Sequence, residues 1–85
     1  MKIDDIQDRE TEVNVVIALQ KDNIMITLQY QKDKEEKKLV LIPGYVKGGR
    51  GDPELLTDSD YEEAKNMAKE ALLSDPRFSG YTLSD

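Results

Sequence analysis

The sequence predicts an α+β domain: a three-stranded antiparallel meander, one helix packed on one sheet face, and a short final strand, in the order β-β-β-α-β. Three observations predict it. Two runs in the first third of the chain alternate apolar and polar residues with period two. Residues 59–75 place apolar side chains at spacings of three and four. Proline and glycine punctuate the chain between these patterns.

The first strand is read from "TEVNVVIALQ". Val13, Val15, Ile17 and Leu19 point to one face, and Asn14, Val16, Ala18 and Gln20 to the other, so residues 13–19 form a half-buried strand. "KDN" is a polar turn. In "NIMITLQYQ", Ile24, Ile26, Leu28 and Tyr30 alternate with Met25, Thr27, Gln29 and Gln31, which gives a second strand over 24–31. Two such runs joined by so short a turn make an antiparallel hairpin. "KDKEE" turns the chain again, and "KKLVLI" is a third strand over 38–42, stopped by Pro43 and Gly44.

Residues 43–58, "PGYVKGGRGDPELLTD", read as a long Gly-rich loop. The helix is expected over 60–74. Ser59 is its candidate N-cap, with Glu62 three residues on, and acids crowd the first turn where the helix dipole favours them. Tyr61, Ala64, Ala68, Ala71 and Leu72 form its apolar stripe, and Pro76 ends it. Tyr81 and Leu83 alternate as a short last strand. Residues 1–10, with Ile3 and Ile6, read as an irregular or flexible arm, ambiguous with a helical turn. The expected core joins Ile17, Ile26 and Leu28 to Ala68 and Leu72. The opposite sheet face, with Val16, Ala18, Met25 and Thr27, is more apolar than full exposure needs. The arm, the long loop or a second subunit is expected to cover it, the last as a homodimer through a sheet edge or face.

Eighty-five residues make one small domain, 1–85, with no repeat and no room for a deep cleft beside its core. Cysteine and histidine are both missing, which excludes disulfides, thiolate sites and the usual neutral-pH acid–base group; no enzyme activity, metal or cofactor is expected. The serines sit in cap and turn contexts. "DSDYEE" lacks the glycine and spaced glutamate of a calcium loop, and "GGRG" lacks the lysine–serine/threonine pair of a phosphate loop. A net charge of −6 repels nucleic acid and anionic membrane alike, and no apolar run is long enough to span a bilayer. "MKIDDIQDRE" has no apolar signal core. The expected setting is cytoplasmic and the expected partner a protein.

Two candidate surfaces follow. From Gly51 to Ala64 there are six acids and no base: Asp52, Glu54, Asp58, Asp60, Glu62 and Glu63. Such a surface suits a basic, nucleic-acid-binding partner, as in an accessory protein or inhibitor of a phage or mobile element. The alternative is the tripeptide Arg50-Gly51-Asp52, which on an exposed loop would serve an integrin-type ligand or an engineered binder. Against it stands a plain structural role, glycines making a turn that Asp52-Pro53 leaves.

Overall fold

The computed structural model describes residues 1–19, 24–49 and 56–84. Among them the order is β1 (Lys2–Asp8), β2 (Glu12–Ala18), β3 (Ile24–Asp33), β4 (Lys38–Leu41), β5 (Val46–Gly49), α1 (Asp58–Ser74), a 3₁₀ turn (Pro76–Phe78) and β6 (Thr82–Ser84). The fold class is the one the alternation predicts. The strands form one mixed sheet, ordered β1-β2-β3-β4-β6, with β5 beside β3.

β2 and β3 pair antiparallel from Glu12 opposite Gln31 to Ala18 opposite Met25. This register sets Val13, Val15 and Ile17 beside Tyr30, Leu28 and Ile26, all of them buried. α1 lies over β1 and β2 on this side. Its inner stripe is Ala64, Ala68 and Leu72, and the two alanines let the helix come close to the sheet. Leu19, Ile24, Leu39, Leu41 and Phe78 complete the core. Each fully buried aliphatic side chain stabilises the fold by about 1.5–3 kcal/mol relative to exposure.

The N-terminal segment is a strand, not an arm. Ile3 pairs with Ile17 and Ile6 with Val15, with a register shift between Ile3 and Asp5. Strict alternation would send residues three apart to opposite faces. The extra residue, Asp4, returns both isoleucines to the core side, as a β-bulge does. Acids along this bulged edge strand also discourage pairing with another chain.

The long Gly-rich loop is also corrected, because Val46–Gly49 is a strand. β3 is ten residues long. β4 pairs with its C-terminal part, Tyr30 to Asp33, and β5 with its N-terminal part, Ile24 to Thr27. Backbone groups of a central strand need partners on both sides, so the chain after β4 steps out and returns to the same edge. The step uses Pro43 and Gly44. Gly44 has φ of +94°, a region that favours glycine.

The helix begins two residues before the expected start. Thr57 is the N-cap: its hydroxyl accepts from the Asp60 N–H at 3.1 Å, and the Asp60 carboxylate accepts from the Thr57 N–H at 3.1 Å. Leu56 before the cap and Tyr61 four residues after it both pack on the core. A Ser59 cap would put Asp58 and Glu63 in those two places, and both are exposed. The apolar pair therefore selects Thr57 over Ser59. At the other end, Asp75 caps α1 and its carboxylate accepts from the Arg77 N–H at 2.9 Å, which turns Phe78 inward. The chain then runs out as β6, parallel to β4 with Leu83 beside Leu39.

Candidate functional site

Period two gives the sheet a second face, turned away from α1. Its cross-strand rows follow from the register. Lys2, Ala18 and Met25 form one row. Asp5, Val16, Thr27 and Val46 form the next, and Gln7, Asn14 and Gln29 a third. Ile42 extends the third row, because its N–H donates to the Gln29 carbonyl at 2.9 Å. Val40 lies opposite Gln31. Val16, Ala18, Met25 and Thr27 are half-buried, whereas Val40, Ile42 and Val46 are 37, 43 and 49% exposed. Among the described residues no element packs on this face. The N-terminal strand and β5 extend the sheet rather than lie across this face, which is bare among the described residues.

The middle of the bare face holds its one polar anomaly. Asn14 is 8% exposed, and among the described residues its Oδ1 has no hydrogen-bond partner. A buried acceptor left unpaired costs about 1–3 kcal/mol. Polar and charged residues stand beside it, with Val16 the next residue of this face along β2. Gln7 Nε2 donates to Asp5 at 3.3 Å, and the exposed Arg9 guanidinium donates to Gln7 Oε1 at 3.4 Å. Arg9 Nε lies 3.9 Å from Glu12 Oε1. These are long, solvated contacts of the kind that contribute little to stability.

At the far end of the face an open groove of ≈ 650 Å³ runs past Glu10, Gln31, Asp33, Lys34, Lys38 and Val40. Its lining sets Glu10, Asp33 and Glu35 against Lys32, Lys34 and Lys38; Lys34 pairs with Glu10 at 2.8 Å, and Lys38 with Glu36, outside the lining, at 2.9 Å. The Lys34 hydrogen bond holds the Glu10 carboxyl below the usual carboxylate range, and the same bond raises Lys34. The groove therefore presents no surplus of either sign.

Two internal ties fix the face's frame. Tyr61 Oη on α1 accepts from the Gly44 N–H at 3.1 Å and stands beside the Tyr45 ring, 5.8 Å between centroids, so the step before β5 is anchored to the helix. At the opposite end the nearly buried Lys32 ammonium bonds the Asp8 carboxylate and the Arg9 carbonyl, with the Phe78 ring 5.9 Å away. That pair joins β1, β3 and the 3₁₀ turn.

Of the residues expected to bind, the four that are described are not on this face. Asp58, Asp60, Glu62 and Glu63 all lie on the first turns of α1, on the other side of the sheet. Asp60 is committed to the cap; Asp58, Glu62 and Glu63 are exposed, and Glu62 pairs with Lys65 at 3.2 Å. Arg50, Gly51, Asp52 and Glu54 lie outside the described residues. No group of three or more acids among the described residues is placed to hold a metal ion. Val16, Ala18, Met25, Asn14 and Gln29 are on this face in the alternation; Gln7, in the segment read as an arm, Val46, in the segment read as a loop, and Val40 and Ile42, whose face the sequence reading did not assign, are not. No described helix is long and apolar enough to cross a membrane. Comparison of the chain with protein-family models, with curated proteins and with solved structures finds no match.

Proposed function

We propose that this protein is a small, acidic, non-catalytic protein-binding module that docks its partner on the bare face of the sheet. The carrying observation is the exposure of Val40, Ile42 and Val46 beside half-buried Val16, Ala18 and Met25 on a face that no described element covers. Apolar side chains gathered on one surface mark an interaction site. The charge selects the class of partner. Asp5, Glu12 and Asp33 share this face with Lys2 and Lys38, and the whole chain carries −6. Two copies of a chain carrying −6 repel each other, whereas a partner with an apolar ridge and a net positive charge matches both features. A domain that folds without cysteine suits a reducing compartment such as the cytoplasm.

The test uses the folded protein as bait in a host lysate, in three forms: wild type, Met25→Lys and Glu63→Lys. Thermal melting first establishes that each is folded. A specific partner captured by wild type is expected to be lost with Met25→Lys and kept with Glu63→Lys. Loss with Glu63→Lys alone would move the binding surface to the start of α1 and overturn the proposal.

A further inference from the structure

We propose that the polar centre of the bare face, Asn14 with Gln7, Glu12 and Asp5, is a receptor for an arginine side chain of the docked partner. The inference rests on the docking reading above and names its chemistry. Three observations carry it. Asn14 Oδ1 is an acceptor without a donor among the described residues, on a side chain 8% exposed, in the middle of a binding face. A fold that keeps such a group retains an unmet hydrogen bond that an incoming donor can satisfy. Second, two carboxylates stand one step away: Asp5 pairs with Val16, the next back-face residue after Asn14 on β2, and Glu12 is the previous one. Third, this acceptor set already receives a guanidinium. Arg9, reaching back from the β1–β2 turn, touches Gln7 Oε1 at 3.4 Å and Glu12 at 3.9 Å, on the exposed rim of the same row.

The donor count decides between the two basic side chains. Gln7 Oε1, Asn14 Oδ1 and the Glu12 carboxylate are three acceptors spread along a sheet surface. A planar guanidinium offers five donors in a fixed fork and is weakly hydrated, so it can serve several of them at once and also lie flat on Val16. A lysine ammonium is compact and strongly hydrated and serves such a spread poorly. Entry requires the Gln7 side chain to turn away from Asp5 and Arg9 to swing into solvent. Both moves break only long, exposed contacts.

The probe is a synthetic amphipathic helix with leucine on one face and arginine on the other, compared with its lysine counterpart. Binding to ¹⁵N-labelled protein is followed through the side-chain amide signals of Gln7, Asn14 and Gln29 and by anisotropy of the labelled peptide. The arginine peptide is expected to bind at least fivefold more tightly than the lysine peptide and to shift all three amides. Asn14→Val should weaken the arginine peptide about tenfold, the loss of one charge-assisted hydrogen bond, and leave the lysine peptide nearly unchanged. Glu12→Gln, a change at a partly exposed position, gives a second reading of the same preference with the fold intact. Equal affinity for the two peptides with shifts still on this face overturns the arginine receptor and leaves the docking face standing. Shifts confined to Asp58 and Glu63 overturn both. Absence of binding by either peptide overturns the arginine receptor, and the bait experiment then decides the face by itself.

Discussion

Replacing Asn14 by valine is expected to make the isolated protein more stable. At 8% exposure the Asn14 side chain is nearly as dry as the core, and its Oδ1 has no donor among the described residues. Removing that acceptor recovers about 1–3 kcal/mol of desolvation cost. Valine in place of asparagine in a strand flanked on both sides adds up to about 1 kcal/mol of strand preference. Against this stands the lost neighbourhood of the Gln7 and Gln29 amides across the two ladders, up to about 1 kcal/mol. The balance is stabilising by about 1–2 kcal/mol. In a domain of this size each kcal/mol raises the melting temperature by about 4–8 °C. Urea titration should show a higher midpoint with an unchanged slope, since the surface exposed on unfolding hardly changes. Asn14→Asp should move the other way, because it buries a charge beside Asp5 and Glu12. A valine variant destabilised by more than about 0.5 kcal/mol would refute the reasoning. It would show that Asn14 is fully satisfied within the fold. A stabilising substitution that weakens binding is the signature of a residue kept for function.

Three further outcomes follow from the same geometry. Ile26 is 1% exposed in the middle of the core, so Ile26→Ala should cost about 2–4 kcal/mol in chemical denaturation; a cost under 0.5 kcal/mol would place it outside the core. Thr57→Ala should lower stability by about 0.5–2 kcal/mol through the lost cap, whereas Ser59→Ala should be nearly neutral, and equal effects would contradict the helix start. Hydrogen bonds from the Arg77 side chain and backbone hold the Asp75 carboxyl below its usual range. A lowered pKa contributes stability that is present above the ordinary carboxylate range, about pH 4, and is lost as pH falls through the lowered value. Asp75→Asn should therefore be less stable than wild type at pH 7, the two urea midpoints converging as the solution is acidified; a gap that widens in acid would show the sign to be wrong.

Much of the sheet was legible because burial on one face imposes alternation, and β2 and β3 obey it residue by residue. β1 was hidden by its own bulge: Ile3 and Ile6 share a face only because Asp4 is an extra residue, and a spacing of three mimics a helical turn. β5 was hidden for a different reason. Nothing in "VKGG" favours a strand, and it forms because the N-terminal half of β3 would otherwise keep an unpaired edge. The N-cap was misplaced because Thr57-x-x-Asp60 and Ser59-x-x-Glu62 are both plausible boxes, and tertiary packing of Leu56 and Tyr61 decides between them. For the candidate site, Val16, Ala18 and Met25 could be assigned to the second face from the sequence. So could Asn14 and Gln29, but their alignment with Gln7 in one row could not, since it needs the register of three strands and the bulge that sets Gln7 opposite Asn14.

The docking face is tested most directly by cross-saturation from the captured partner to methyl-labelled protein. Irradiation of the partner should attenuate the methyls of Val16, Ala18, Met25, Val40 and Val46, all on the bare face, and spare Leu73 and Ala71 on α1. Attenuation of Leu73 and Ala71 with the sheet methyls unaffected would contradict the assignment and place the partner on the helix.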